Sequence, residues 1–186
     1  MMRDPNTAAV LWFTGLSGAG KSTIASAVFE ELRRRDVAAE YLDGDVVRHW
    51  SPAGFTRADR DAHVKRVGYF ASRLEHHGVT VVCALISPYA EARAHVRGLC
   101  RRFVEVHVAT PLAECERRDV KGLYARARAG EIQNFTGISD PYEPPQNPEI
   151  TIDGSVAGVH EAARLVLDTW ARAGSGRQGS ALLSSV

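Results

Sequence analysis

Little in this sequence favours a cross-linked or metal-stapled scaffold: of 186 residues only three are cysteine, Cys83, Cys100 and Cys115. Their number is odd and no Cys-x-x-Cys or His-paired spacing joins them, which argues against a disulfide framework and a zinc site and for a reducing, cytoplasmic setting. No stretch approaches the apolar length needed to span a bilayer, and residues 1–7 contain no apolar h-region, so neither membrane insertion nor secretion is expected. Charge of one sign is also missing: 23 Lys and Arg stand against 22 Asp and Glu, a formal net charge of +1. The arginine pairs are interleaved with Asp and Glu, the pattern of solvated helix faces rather than of a nucleic-acid-binding surface. Internal repeats are absent, and so is the Asn-Lys-x-Asp motif that the common guanine-nucleotide plan requires.

What is present is a globular composition, 45% hydrophobic and 24% charged, at a length that suits one domain with one core. Apolar runs of strand length recur at 8–14, 38–42, 79–86, 103–108 and 149–152. The run 79–86 is apolar on both alternating faces, as a central parallel strand covered from both sides requires. Within 60–77, Val64, Val67, Ala71 and Leu74 recur at steps of three and four, one buried helix stripe. Strands alternating with helices predict an α/β fold, a doubly wound five-stranded parallel sheet flanked by helices. A single domain is expected over 1–173. Residues 121–130, rich in Arg and Lys, and the Pro-rich stretch 134–148 break the rhythm and suggest a mobile lid over about 121–147. The Gly- and Ser-rich residues after 173 cannot build a core, so 174–186 read as a disordered tail.

The sharpest motif is Gly15-Leu16-Ser17-Gly18-Ala19-Gly20-Lys21-Ser22, a full Walker A pattern directly after an apolar strand and at the start of a helix. Its glycines let the backbone wrap a β-phosphate, so that amide N–H groups and the positive end of the helix meet the negative charge. Lys21 is placed to reach the β- and γ-phosphates of ATP, and the Ser22 hydroxyl to ligate Mg²⁺. Thr23, counted with the ATP-binding loop, is expected to pack or cap within the helix.

A phosphate loop alone does not separate kinases from other nucleotide-binding proteins. The second strand ends in Asp43-Gly44-Asp45, with Arg48 three residues on, so that a helix starting here projects Asp45 and Arg48 from one side. A carboxylate at the C-terminal edge of a parallel sheet, beside the loop, can take a hydrogen bond from an acceptor hydroxyl, and a nearby Arg can clamp an anion. Turn and helix-capping chemistry would explain the same residues.

Taken together, Gly-Leu-Ser-Gly-Ala-Gly-Lys-Ser-Thr (15–23), Leu-Asp-Gly-Asp-Val-Val-Arg (42–48), Gly-Phe-Thr-Arg-Ala-Asp-Arg (54–60), Ile-Ser-Pro-Tyr (86–89), Lys-Gly-Leu-Tyr (121–124), Asn-Phe-Thr-Gly-Ile (134–138) and Asp-Pro-Tyr-Glu-Pro-Pro (140–145) resemble the adenylyl-sulfate kinase family over roughly 8–170. The resemblance implies a P-loop kinase that phosphorylates the ribose 3′-hydroxyl of adenylyl sulfate. It assigns Asp45 as the hydroxyl-orienting residue or base. Asp43 joins the acceptor site, and Arg48 and Arg60 hold the phosphosulfate. Phe55 and Phe135 would sandwich the adenine, Ile86 and Ser87 would line the pocket, and Lys121 would bring positive charge from the lid. Ser87 stands where the family is described as forming a phosphoserine, although direct transfer needs only in-line positioning and charge neutralisation. The resemblance further implies a homodimer, and an acceptor supplied by a sulfate adenylyltransferase on another chain.

Bland readings stay open beside these: Phe55 and Phe135 as core aromatics, Lys121 on a solvated helix face, and Ser87-Pro88 as turn chemistry. The chain also departs from the family. His63 replaces the usual Asn and is expected to face the acceptor pocket with a charge that varies with pH. The segment 49–53 is shorter than is common, and Thr56 and Val120 replace residues more often Ser and Pro. These departures leave room for a related kinase of another hydroxyl acceptor, or for a non-catalytic nucleotide-binding module.

Overall fold

The computed structural model describes residues 7–50 and 54–175. The elements follow as β1 (Val10–Thr14), α1 (Lys21–Arg34), β2 (Ala39–Asp43), α2 (Gly44–Trp50), α3 (Arg57–His76), β3 (Thr80–Ala84), α4 (Ala90–Leu99), β4 (Phe103–Val108), α5 (Leu112–Arg118), α6 (Leu123–Arg128), β5 (Ile150–Ile152) and α7 (Val159–Ser175). The strands form one parallel sheet in the order β2-β3-β1-β4-β5, the predicted doubly wound arrangement.

Side chains alternate across a strand, so β1, buried at every position, feeds two cores. Leu11 and Phe13 pack with Ile24, Val28 and Leu32 of α1 and with Ala162 and Val166 of α7. Val10 and Trp12 point the other way, into Val64, Val67 and Ala71 of α3 and Ala92 and Val96 of α4. The apolar stripe of α3 is thus the one the spacing predicts.

Boundaries differ where local polar chemistry overrides the apolar pattern. α3 begins three residues before the expected 60–77 because Thr56 caps it: the Asp59 amide donates to Thr56 Oγ1, and the Thr56 amide donates to Asp59 Oδ2, each at 3.2 Å. α6 is shorter than 121–130, since Gly122 is left-handed at φ 64° and the Asp119 carboxylate accepts from the Tyr124 and Ala125 amides. Of the segment 174–186 expected as a tail, 174 and 175 continue α7, and 176–186 lie outside the described residues, as do 51–53 of the shortened 49–53 segment.

The expected lid divides in two. Residues 134–143 are fastened to the body: Phe135 and Thr136 are buried, the Tyr89 hydroxyl donates to Asp140 at 2.6 Å, and the Glu143 carboxylate accepts from the Ala90 amide at 2.7 Å. Arg93 adds a bond to the Glu143 carbonyl at 2.7 Å. Residues 119–133 bury Tyr124 and Ala127 in the core and further meet the body at the phosphate loop, at Asp45 and through the Arg128 pair with Glu116.

α3 and α4 approach closely at Gly68, where a Cβ would stand 2.3 Å from Val96 Cγ2. Gly68→Ala should therefore lower stability by about 1 kcal/mol or more, overpacking outweighing a helix-propensity gain of up to about 1 kcal/mol. Urea unfolding measures this, and a more stable Gly68→Ala protein would contradict the close packing.

Candidate active site

The phosphate loop leaves the buried end of β1 and wraps into α1. At Gly15, with φ 150°, a Cβ would stand 2.5 Å from the Val108 carbonyl oxygen, so only glycine passes beneath β4. The Thr110 hydroxyl donates to the Ala19 carbonyl at 2.7 Å and the Tyr124 hydroxyl to the Ser17 carbonyl at 2.9 Å, pinning the loop from β4 and from α6. Ser17, Gly18, Gly20, Lys21, Ser22 and Thr23 line a cavity of about 630 Å³. Gly15, Leu16 and Ala19 do not line it, because they back the loop: Ala19 is buried and Leu16 packs on the core. Thr23 neither packs nor caps. It is exposed to the cavity, and no side chain caps α1.

Lys21 is buried, and its Nζ donates to the Leu16 carbonyl at 2.7 Å. Burial lowers its pKa to about 8, against partial support from Asp45 and Asp43. Ser22 Oγ lies 3.4 Å from Asp43 Oδ2. Asp43 also accepts from the Asp45 amide at 2.8 Å, so it holds the start of α2 and faces the Ser22 hydroxyl. The turn chemistry and the site chemistry of Asp43-Gly44-Asp45 thus coincide.

Asp45 and Arg48, one helical turn apart on α2, both line the cavity. The Lys121 ammonium donates to Asp45 Oδ2 across the cavity mouth. Partial burial would raise the Asp45 pKa, but Lys121, Lys21 and Arg48 outweigh it and hold the carboxyl below its ordinary value. Lys121 therefore meets Asp45 and is not a mere solvated helix residue.

His63 faces this cavity as expected, but not as a pH-variable group. Its Nε2 lies 3.1 Å from the Gly44 carbonyl, which only accepts, so Nε2 carries the proton. Nδ1 is buried with no hydrogen-bond partner. Burial and the neighbouring Arg48 lower the pKa to about 4, and the ring is neutral through the physiological range.

Phe55 and Phe135 both line the cavity, in different settings. Phe55 is 59% exposed, with the Arg48 guanidinium 5.0 Å from its ring centre and Arg60 at 5.8 Å, so it is not a core aromatic. Phe135 is buried edge-on against Tyr124, ring centres 5.0 Å apart, and belongs to both core and cavity. Arg60 is buried and bonded to the segments carrying both rings.

Ile86 and Ser87 border the cavity at the end of β3. The Ser87 hydroxyl, however, is committed elsewhere: it donates to Thr14 Oγ1 at 2.9 Å and accepts from Trp12 Nε1 at 3.1 Å, in a residue 2% exposed. Its backbone sits at φ 40°, strained for a side-chain-bearing residue, and Arg93 fixes its carbonyl at 2.7 Å. A hydroxyl so occupied is a poor phosphoryl acceptor.

Sequence reasoning missed Thr110 and Arg118, and held Thr136 only as part of the Asn-Phe-Thr-Gly-Ile motif. Arg118 lines the cavity and donates to the Gly154 carbonyl at 2.9 Å, yet its pairing with Glu114 looks like any solvated helix face. Arg93, only 3% exposed, lies outside the arginine pairs read as solvated faces, and nothing local marks it as buried. Tyr124 was visible only as part of the Lys-Gly-Leu-Tyr motif.

The adenylylsulphate kinase family model matches residues 7–153. The adenylyl-sulfate kinase of Gloeothece citriformis is 53% identical over 159 residues, spanning 84% of this chain and 90% of that protein. That of Deinococcus deserti is 51% identical over 164 residues, spanning 87% and 91%. The Mycobacterium tuberculosis APS kinase, solved in complex with AMPPNP and APS, has a TM-score of 0.83 at 43% identity over 87% of this chain and 96% of that one.

Two outcomes follow from this geometry. Phosphate oxygens favour the charged form of Lys21, so nucleotide binding above pH 8 must take up a proton. Affinity for MgATP should be flat below about pH 8 and fall toward about tenfold per pH unit above it, while Lys21→Arg removes that slope because guanidinium stays charged. Titration calorimetry from pH 7 to 9.5 reads this, and equal slopes in both proteins would refute it. Separately, Ser87→Ala should keep phosphotransfer within about tenfold of normal while losing about 1–3 kcal/mol of stability, since only structural hydrogen bonds are lost. Abolished transfer in a folded Ser87→Ala protein, read by steady-state kinetics, would restore the phosphoserine role.

Proposed function

The chain belongs to the adenylyl-sulfate kinase family, and on that premise we propose that it transfers the γ-phosphoryl group of MgATP to the ribose 3′-hydroxyl of adenylyl sulfate, giving 3′-phosphoadenylyl sulfate and ADP. The observation that carries this reading is one cavity running from the phosphate loop to a second end lined by Asp45, Arg48 and Phe55. The first end suits a triphosphate. The second suits a flat base with a charged tail, through aromatic faces and guanidinium groups.

Phosphoryl transfer through a loose transition state needs in-line placement and neutralised charge more than covalent help. Lys21 and the loop amides would hold the β- and γ-phosphates, and Asp45 would accept a hydrogen bond from the 3′-hydroxyl and orient it. Its lowered pKa makes it a weak base, which suffices where the hydroxyl proton departs late. Ser22 Oγ, with Asp43 3.4 Å away, offers the sparse oxygen set that fits Mg²⁺, an ion usually held by one or two protein oxygens and substrate phosphates. That ion, held by these oxygens, would supply neutralisation of the phosphate charge.

The ion pair of Lys121 with Asp45 joins two well-exposed side chains and is worth at most about 1 kcal/mol, so exchanging Asp45 for a phosphoryl oxygen costs little. Lid motion, on this reading, belongs to 119–133 and not to the fastened 134–143. A cytoplasmic homodimer fed by a separate sulfate adenylyltransferase completes the proposal.

The test is an ADP-release assay with MgATP and adenylyl sulfate, products resolved by chromatography, nucleosides as control acceptors. Selective formation of 3′-phosphoadenylyl sulfate is the expected result. ATP binding without that product, or transfer to a nucleoside instead, would overturn the acceptor assignment.

A further inference from the structure

Three carbonyls of the phosphate loop accept from side chains: Leu16 from the Lys21 ammonium at 2.7 Å, Ser17 from the Tyr124 hydroxyl at 2.9 Å and Ala19 from the Thr110 hydroxyl at 2.7 Å. Lys21 belongs to the loop motif itself, but the two hydroxyls come from elsewhere in the fold and are seated there. Tyr124 is 2% exposed, its ring stands edge-on to Phe135, and its amide donates to Asp119 Oδ1 at 2.9 Å. Thr110 is 4% exposed, and a Cβ at Gly154 would stand 2.5 Å from its Oγ1.

A trans peptide is planar, with its C=O and the N–H of the next residue on opposite sides, and the described residues contain no cis peptide. Holding the Ser17 carbonyl therefore sets the direction of the Gly18 amide, and holding the Ala19 carbonyl sets that of the Gly20 amide. The Ala19 amide between them is spent on the Leu16 carbonyl at 3.2 Å. Gly18 and Gly20 both line the cavity, and among the described residues no carbonyl accepts from either amide. Main-chain N–H groups gathered in such a turn form an anion-binding concavity.

We infer that Tyr124 and Thr110 are positioning residues for the nucleotide's phosphates: each hydroxyl locks one peptide plane of the loop, Tyr124 aiming the Gly18 amide and Thr110 the Gly20 amide. The inference rests on the nucleotide site proposed above. Because Tyr124 belongs to the 119–133 segment, the Gly18 amide is set only while that segment is seated on the loop, whereas Thr110 reaches the loop from the end of β4.

The experiment uses the full chain, unaltered and as Tyr124→Phe and Thr110→Val. The first variant keeps the ring against Phe135 and the second keeps the side-chain shape, so each removes one hydroxyl donor. Titration calorimetry measures MgATP without acceptor, and adenylyl sulfate separately. Failure of the unaltered protein to bind MgATP would sink the nucleotide-site reading itself. Given that binding, each variant should weaken MgATP about three- to tenfold, the worth of one neutral hydrogen bond, and leave adenylyl sulfate within about twofold. Amide proton resonances separate aiming from general loosening. MgATP should move the Gly18 and Gly20 signals of the unaltered protein downfield. Tyr124→Phe should diminish the Gly18 shift and spare Gly20, and Thr110→Val should do the reverse. The inference is overturned if MgATP leaves both signals unmoved in the unaltered protein, if either variant loses the two shifts together, or if a folded variant binds MgATP normally. Thr110→Val carries the same test if Tyr124→Phe does not fold.

Discussion

Because β1 pairs in parallel with β3 on one side and β4 on the other, the three strands finish at one edge, and whatever follows each is forced into a common neighbourhood. The phosphate loop follows β1, Ile86 and Ser87 follow β3, and Thr110 follows β4. β2, paired outside β3, delivers Asp43 to the same edge. A single buried hydroxyl then couples the strand ends: Thr14 Oγ1 donates to the Ile86 carbonyl at 2.7 Å, accepts from Ser87, and lies 3.0 Å from the Tyr142 hydroxyl. Sheet pairing thus does more than support the site; it decides which residues can meet there.

A second layer of constraint runs behind that edge. Arg93 and Glu105, both almost wholly buried, pair at 2.8 Å, and the remaining donors of Arg93 hold the carbonyls of Ser87 and Glu143. Isolated buried ion pairs contribute little net stability, but removing one partner is costly, so such a pair fixes an arrangement more than it strengthens a fold. Here the arrangement fixed is the strained Ser87 turn together with the 134–143 segment that carries Phe135. The cavity wall that carries Phe135 is thus braced from behind, while the mouth, closed by the exposed pair of Lys121 and Asp45, is held loosely.

What could be read from sequence is what local chemistry dictates. The Walker A loop was legible because its glycines serve a backbone path that no other residue follows, and the cores were legible because period two on β1 and period 3.6 on α3 leave no other way to bury those side chains. The Thr56 and Asp59 capping box was in plain view but lay outside the apolar stripe that set the expected boundary. Less legible were positions whose role depends on what waits across the fold. Nothing local says that Arg60 and Arg93 are buried when other arginines are solvated, that the Ser87 hydroxyl is spent on Trp12 and Thr14, or that His63 is kept neutral by burial and Arg48 while it bonds a carbonyl nineteen positions away.

Electrostatics at the cavity reflects a compromise between binding charge and keeping it folded. Among the described residues, Lys21, Arg48, Arg60, Arg118, Lys121 and Arg126 line a space that holds Asp43, Asp45 and Asp119 in return, a surplus suited to anionic substrates. Burial sets its cost, lowering the pKa of Lys21 and, together with Arg60, that of Arg48. The structure limits that cost by giving cations local oxygen partners, Leu16 for Lys21 and Gly54 for Arg48, and by pairing Lys121 with Asp45. Each of these partners is cheap to exchange for a substrate oxygen, except those of Arg60, whose three bonds run between segments. The same surplus of charge therefore divides by geometry into cations whose single partner is easily exchanged and one, Arg60, whose bonds join two segments distant in the chain.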